Sequence, residues 1–539
     1  MSEREGADPF TTPWPGPLWK EGLVLVFLFA IATSINLDKA FHIDDAFHLH
    51  AAQWISEHPL RPMSGTIDWS GSVEHYYDGN QPPLFFYGMA AWAWLFGWTE
   101  IAMHAFEALF TALCIVMFHR IARLLTPKVA LLSTTLLAAG PAFIVNQNVM
   151  LDVPLLSMVV CFLYSLCRSV IRNDGRSLVH AALFLSLGAL MKYSMLAFFP
   201  VLLYAVWRSP RKRWWLALVP LVVLAFWSLW NVWEFGFVHL LGRSLTGSFA
   251  DGPSNRALTY IMTLGSIAPW LFAIGLHGLV PQVRRPDRMA LVVLVVVSCF
   301  IGFAWYGVVP QSITDVVLVS LFCANGCAGL AMLFRAPLPQ VGSSGAVRTI
   351  LLAAVSCSAI FVTLLAPWMA TRHALLVLPA ILLLAGPLLE RMTGPLRSAL
   401  VVVTVLLGVA LGVSDRRFAG FYRDQARMIV ARHAGEQTYY VGALGWYWYA
   451  ELSGMHKITS GAGPLVAGSL LATPLSFAVP ALPAGVRTTQ VEMLTQRLGV
   501  ADRFSTRTWL RFYSAHFPDT PWTITWAQPE QIELSRVVP

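Results

Sequence analysis

Charge is what this chain has least of. Of its 539 residues, 12% are Asp, Glu, Lys or Arg and 56% are hydrophobic, whereas soluble domains carry roughly 25% charged residues. The shortage argues against a soluble globular protein, because the apolar residues come in long blocks, 216–230 and 290–305 among them. Runs of about 20 apolar residues are what a helix needs to cross a bilayer. Cysteine is sparse as well. Cys114, Cys161, Cys167, Cys299, Cys323, Cys327 and Cys357 all fall in apolar, helix-forming stretches, and none lies in the polar first loop or the C-terminal segment. That placement argues against a disulfide framework or a structural zinc site. Internal repeats and low-complexity tracts are missing. So is a cleavable signal peptide: residues 1–20 are polar and Pro-rich, and the apolar run 22–36 lacks a small-residue cleavage pattern, so it reads as an anchor helix.

The charge that is present has a pattern. The net charge of +8 comes largely from basic residues in short connections between apolar blocks, for example Arg208, Arg211, Lys212 and Arg213. This is the positive-inside bias of membrane proteins, not a nucleic-acid footprint, and no nucleic-acid partner is expected. The same charges suit anionic lipid headgroups. Placing Lys20, Arg120, Arg123, Lys128, Arg168, Arg172, Arg176, Arg284, Arg285, Arg288, Arg335, Arg348, Arg391 and Arg397 inside as well predicts thirteen spans. They fall near 22–38, 101–122, 129–146, 152–170, 178–191, 193–207, 214–235, 258–280, 289–309, 312–334, 348–369, 371–389 and 398–413. The N-terminus is then inside, and the loops 38–81 and 237–257 and the C-terminus are outside. The aromatic segment 82–98 would invert this order as a span, so it is predicted to lie along or re-enter the outer interface; a true span compensated elsewhere is the alternative. Residues 1–413 thus form a transmembrane domain, with 38–98 a large outer loop bearing interfacial helices. Residues 414–539 form a small extracytoplasmic α/β domain, with strands expected at 438–441 and 476–479 and helices at 447–452 and 491–498.

Function must lie in the polar exceptions. Directly after the first helix comes His42-Ile43-Asp44-Asp45-Ala46-Phe47-His48-Leu49-His50. A carboxylate at a membrane surface can act as a general base, and paired carboxylates can hold a divalent cation. Asp152, in Met150-Leu151-Asp152-Val153-Pro154, opens a span from the outer side, where it can also cap the helix. Lys192 interrupts some 30 apolar residues away from the basic clusters; it needs an anionic partner, for which a lipid phosphate would serve, or it snorkels to the headgroups. Arg372, beside His373, is a second outer cation, suited to bidentate phosphate binding. Tyr76-Tyr77-Asp78-Gly79-Asn80-Gln81-Pro82-Pro83 ends the outer loop, and Glu74 and His75 precede it. Asp44, Asp45 and Asp152 are the candidate catalytic acids, and Lys192 and Arg372 the candidate phosphate binders. His48, Tyr77, Asn80, Gln81 and His373 are candidate substrate contacts. A metal, Mg²⁺ or Mn²⁺, would find ligands in Asp44, Asp45, Glu74 and His75.

On these residues the chain resembles the GT-C superfamily of membrane glycosyltransferases, in particular the group of protein O-mannosyltransferases and lipid A aminoarabinose transferases. The carriers are Asp44-Asp45, Asn80-Gln81-Pro82-Pro83-Leu84, Met150 to Pro154, Leu190-Met191-Lys192, and Arg372 followed by Leu375-Leu376-Val377-Leu378-Pro379. The resemblance implies a polyprenyl-phosphate sugar donor and inverting transfer, at the outer face of a bacterial-type plasma membrane, to a lipid, glycan or protein acceptor. It further implies that Asp44 or Asp45 is the base, with Asp152 beside it and Lys192 and Arg372 on the donor phosphate. Departures occur: relatives often carry Asp-Glu or a single Asp in place of Asp44-Asp45, a charged residue near Asn80-Gln81, and Arg-Tyr in place of Arg372-His373. A transporter or flippase of lipid-linked sugars is the alternative reading. Transporters concentrate ionisable groups near the midplane, often in repeats, whereas here they gather at one face. A non-catalytic receptor or assembly factor on the same scaffold is a third, and the intact acidic and cationic groups speak against it.

Overall fold

The computed structural model describes residues 18–538 apart from 69–72, 80, 210–212, 243–251, 280–295, 298–312, 336–343, 367–368, 459–464, 477–481, 483–485, 507–510 and 527–529. Six of the described helices are long and apolar enough to cross a membrane: Glu100–Leu125, Asp152–Arg172, Trp214–Phe235, Ile313–Leu333, Gly345–Leu365 and Gly394–Arg432. The chain is a polytopic helical membrane protein with a strand-containing C-terminal unit. The span expected at 289–309 lies almost wholly outside the described residues. Several expected spans are interrupted. The stretch 129–146 is divided into Ala130–Ala138 and Pro141–Val145, where Pro141 has no N–H to continue the first helix. The stretch 371–389 is divided into Thr371–Leu375 and Leu378–Arg391, with Pro379 in the first turn of the second.

The Asp152–Arg172 helix is the hub of the bundle. It packs between Glu100–Leu125 and Gly175–Met191 and is buried nearly all round, Ser157 and Ser165 included. Asn173, in the left-handed conformation (φ 51°), ends it. Asp174 then caps the return helix by accepting from Arg176 N–H at 2.9 Å. At the periphery Trp214–Phe235 leaves Phe226, Leu229 and Trp233 exposed, the apolar surface a lipid-facing helix presents.

The segment 82–98 forms the helix Leu84–Phe96, of 13 residues. It rises about 20 Å, short of the roughly 30 Å hydrocarbon core. It packs on the loop helix Asp45–Glu57 and on Glu100–Leu125, and Trp94, Leu95 and Phe96 at its end are exposed.

The boundary expected at 413 falls inside one continuous helix, Gly394–Arg432, of 39 residues. The strand-bearing unit follows it. Strands β1 (Thr66–Ile67) and β2 (Glu74–His75) form a small hairpin in the first loop. The C-terminal sheet comprises β3 (Thr438–Tyr440), β4 (His456–Lys457), β5 (Leu470–Pro474), β6 (Arg487–Thr495) and β9 (Gln531–Val538), in the order β4-β3-β5-β9-β6. A two-stranded pair, β7 (Phe504–Ser505) and β8 (Thr523–Ile524), stands apart. One local expectation is corrected. Residues 487–495 are a strand, where 491–498 reads locally as a helix, because β6 pairs antiparallel along β9. Glu492, Met493 and Leu494 favour a helix in isolation, but a ladder with a distant segment overrides them. The strand expected at 476–479 lies almost wholly outside the described residues, and β5 at Leu470–Pro474 just precedes it. The helix near 447–452 is Leu444–Leu452.

Candidate active site

The site is built where the chain leaves its first helix. Lys39 to Ile43 form a buried turn, in which the β-branched Ile43 adopts φ 53°. Such backbone costs roughly 1–3 kcal/mol and persists only where its surroundings enforce it. The turn sends the next two carboxylates in different directions. Asp45, fully buried, reaches back so that its Oδ2 accepts from His42 N–H at 2.9 Å. Asp44, with its side chain 28% exposed, accepts at Oδ2 from both Nη atoms of Arg372, each at 3.2 Å.

Arg372 joins a second acid on its other edge, with Nε 3.7 Å from Asp152 Oδ2. Asp152 Oδ1 in turn accepts from Lys192 Nζ at 2.7 Å. The result is a chain of alternating charge, Lys192–Asp152–Arg372–Asp44. Each member has a local reason for its place. Asp152 opens its helix, where the helix dipole favours a carboxylate. Lys192 follows the last residue of Gly175–Met191, in extended backbone, where the dipole favours a cation. Arg372 lies in the short helix Thr371–Leu375, and His373 Nδ1 caps that helix by accepting from Ala370 N–H at 3.1 Å. The anionic partner that Lys192 requires is therefore Asp152. Arg372 and Asp152 have side chains only 7% and 5% exposed, so Asp44 is the open end of the chain.

His48 walls the same site. Its Nδ1 lies 2.9 Å from Val149 O, and burial holds its pKa below the ordinary histidine value despite the nearby Asp44 carboxylate. Other candidates are elsewhere. Tyr77 stacks between His75 and Phe235 at 4.7 and 4.9 Å, and its carbonyl accepts from His239. Asn80 lies outside the described residues, and Gln81 is half-buried beside it. Glu74 and His75 sit in the β1–β2 hairpin. Among the described residues no three His, Cys, Asp or Glu side chains gather closely enough to hold a metal ion. Asp44, Asp45, Glu74 and His75 therefore do not fit a metal site, and no step below passes through one.

Sequence reasoning missed a second buried network behind the first. Lys39 Nζ contacts Asp415 Oδ2 at 2.5 Å and Asn148 Oδ1 at 2.6 Å. Asp415 Oδ2 also accepts from Tyr513 OH at 2.7 Å and lies 3.1 Å from His42 Nε2, while its Oδ1 accepts from Thr506 at 2.7 Å. Lys39 and Asp415 are wholly buried. The network ties the aspartate turn to the long C-terminal helix and to the segment after β7. That segment also braces Arg372, since Thr371 Oγ1 donates to Phe512 O at 2.9 Å and Met369 bridges to Ala515. The signal for Asp415 was its place at the end of the apolar run 398–413. Glu107 was missed too: it is a buried carboxylate in the helix Glu100–Leu125, and both its oxygens lack a hydrogen-bond partner among the described residues.

Comparison with known proteins finds a family match over one stretch of the chain. Residues 80–233 match the family described as dolichyl-phosphate-mannose-protein mannosyltransferase. That stretch holds Asp152 and Lys192 and ends before Arg372. No curated protein matches the chain. Among solved structures, ArnT from Cupriavidus metallidurans bound to undecaprenyl phosphate is similar, with 12% identity and a TM-score of 0.41 over 86% of this chain and 94% of that one. The oligosaccharyltransferase AglB from Archaeoglobus fulgidus, in complex with an inhibitory peptide and a dolichol-phosphate, has 12% identity and a TM-score of 0.47 over 82% of this chain and 65% of that one. The S. cerevisiae Pmt1-Pmt2 protein O-mannosyltransferase complex bound to its sugar donor has 18% identity and a TM-score of 0.30 over 41% and 34% of the two chains. Through residues 80–233, then, this chain is similar to the protein mannosyltransferases, a family of GT-C membrane glycosyltransferases.

Proposed function

We propose that the chain transfers a hexosyl or pentosyl group, with inversion, from a polyprenyl-phosphate donor to a hydroxyl of a lipid, glycan or protein acceptor, at the outer face of a plasma membrane. The observation that carries this reading is the alternating cluster Lys192–Asp152–Arg372–Asp44. Asp44 is the base: it is the most exposed of the four, and its Oδ1 makes no hydrogen bond among the described residues. The acceptor O–H gives its proton to Asp44, and the oxygen attacks the anomeric carbon. The bond from that carbon to the phosphate oxygen breaks, and polyprenyl phosphate departs with the electron pair. Arg372 and Lys192 meet the charge that grows on the departing phosphate, a fixed cationic environment being worth most where water is excluded. Asp152 holds the two cations side by side and is the positioning residue.

Transfer of radiolabelled sugar from undecaprenyl-phosphate hexoses by the purified full chain tests this. Wild type is expected to release undecaprenyl phosphate in proportion to product, and Asp44→Asn to do neither. Equal transfer by Asp44→Asn and wild type would sink the assignment of the base. Movement of intact donor across vesicles, without cleavage, would favour the flippase reading.

A further inference from the structure

A second site opens beside the buried network, and it does not depend on the transfer reading. A cavity of about 470 Å³ lies at the seam of three segments, lined by Asp38 and Ala40 from the stretch after the first helix, by residues between 416 and 425 of the long C-terminal helix, and by residues 495–497 at the end of β6. Four of its lining residues are Arg416, Arg417, Arg423 and Arg497. Lys39, between Asp38 and Ala40 in sequence, is committed to Asp415, so the cavity backs directly onto the turn that carries Asp44.

The charges do not cancel. Arg416 pairs with Asp38 at 2.6 Å, Arg417 with Asp502 at 3.3 Å, and Arg423 with Asp424 at 3.0 Å. Glu100 is shared by Arg423 and Arg427 at 3.8 and 3.9 Å. Arg497 makes no ion pair among the described residues. Of the four arginines that line the cavity, Arg497 is therefore the one with no carboxylate partner among the described residues. Arg417, Arg423 and Arg416 each use only part of their fan of N–H donors on these acids.

We infer that this cavity binds a phosphodiester with no neighbouring cation, as in an anionic phospholipid headgroup. A phosphodiester carries the single negative charge that the unpaired guanidinium calls for. Arginine binds such oxyanions through paired N–H donors. A bound headgroup would bridge the stretch after the first helix, the long helix and the C-terminal sheet.

The test uses the full chain in nanodiscs of mixed phosphatidylglycerol and phosphatidylcholine, read by native mass spectrometry. Wild type is expected to retain phosphatidylglycerol in preference to phosphatidylcholine. Arg497→Gln should weaken that preference about tenfold, the scale of one charge-assisted contact, and Arg497→Lys should largely restore it. Arg497 is exposed, so these variants should fold with unchanged melting temperature. Glycerophosphoglycerol, the deacylated headgroup, separates the two sources: displacement of the lipid at millimolar concentration identifies a site open to soluble phosphodiesters, and no displacement identifies a lipid site. Equal retention of phosphatidylglycerol by wild type and Arg497→Gln overturns the inference.

Discussion

Arg372 grips Asp44 by one oxygen only, both Nη atoms lying 3.2 Å from Oδ2. One carboxylate oxygen is thereby anchored and the other left to the half-open side of the site. The neighbouring Asp45 has the opposite situation, being fully buried and turned back onto His42. Adjacent in sequence, the two acids have separate tasks.

Asp44→Asn and Asp45→Asn should therefore fail differently. Asp44→Asn is expected to lower the transfer rate by about 10²–10⁴, the range of general-base catalysis, with little change in melting temperature. Asp45→Asn should lower the melting temperature first, because it alters the turn that holds Ile43 in its strained conformation. Transfer rates and thermal unfolding in detergent, measured on both variants, check this. A larger rate loss in a stable Asp45→Asn protein would move the base to Asp45.

Asp152 neutralises two cations at once, so Asp152→Asn leaves Lys192 and Arg372 facing each other. Breaking a buried pair in this way costs about 3–5 kcal/mol. Adding Lys192→Met should recover part of the loss, giving the non-additivity expected of residues in contact. A double-mutant cycle on unfolding midpoints reads it; strict additivity would show that the 2.7 Å contact carries no coupling.

Tyr513→Phe deletes one hydroxyl that touches Asp415, Asn148 and His42 at 2.7, 3.2 and 3.1 Å. The expected cost is about 1–3 kcal/mol, with faster proteolysis of the C-terminal unit and a fall in transfer, since the same segment braces Thr371 beside Arg372. Gly445→Ala should have a similar effect by another route. A Cβ there would meet Phe41 O at 2.3 Å, so the helix Leu444–Leu452 would be pushed off the aspartate turn. Unchanged protease sensitivity in both variants would contradict the bracing role.

His50, packed against Tyr447 and Trp448, has its pKa pushed down to about 4, chiefly by burial. Below about pH 6.5 the unfolded chain takes up a proton that the folded chain refuses until about pH 4. This contribution to stability is complete above the unfolded value and is lost as the pH falls between the two. His50→Phe should flatten the acid limb of a melting-temperature profile between pH 7 and 4 relative to wild type. Parallel profiles would show that His50 titrates alike in the folded and unfolded chain.

Much of this protein was legible from residue order alone. Apolar block length decides that helices cross a bilayer, because an unsatisfied backbone cannot enter hydrocarbon. Charge scarcity made Asp44, Asp45, Asp152, Lys192 and Arg372 conspicuous, since an ionisable group in such a chain needs a partner. What sequence could not say is who the partner is. Lys192 called for an anion, and only the packing of Asp152–Arg172 against Gly175–Met191 supplies Asp152. The two aspartates are equivalent as letters; the left-handed turn at Ile43 makes one the open end of a charge chain and the other a structural cap. Lys39 and Tyr513 were silent because Lys39 lies 376 residues from Asp415 and the three meet only when the C-terminal segment folds back. The strand β6 was misread for the same reason, its pairing with β9 being non-local. Local chemistry thus determined membrane, helices and the candidate charges, and tertiary contact decided which charges face each other and which one remains open.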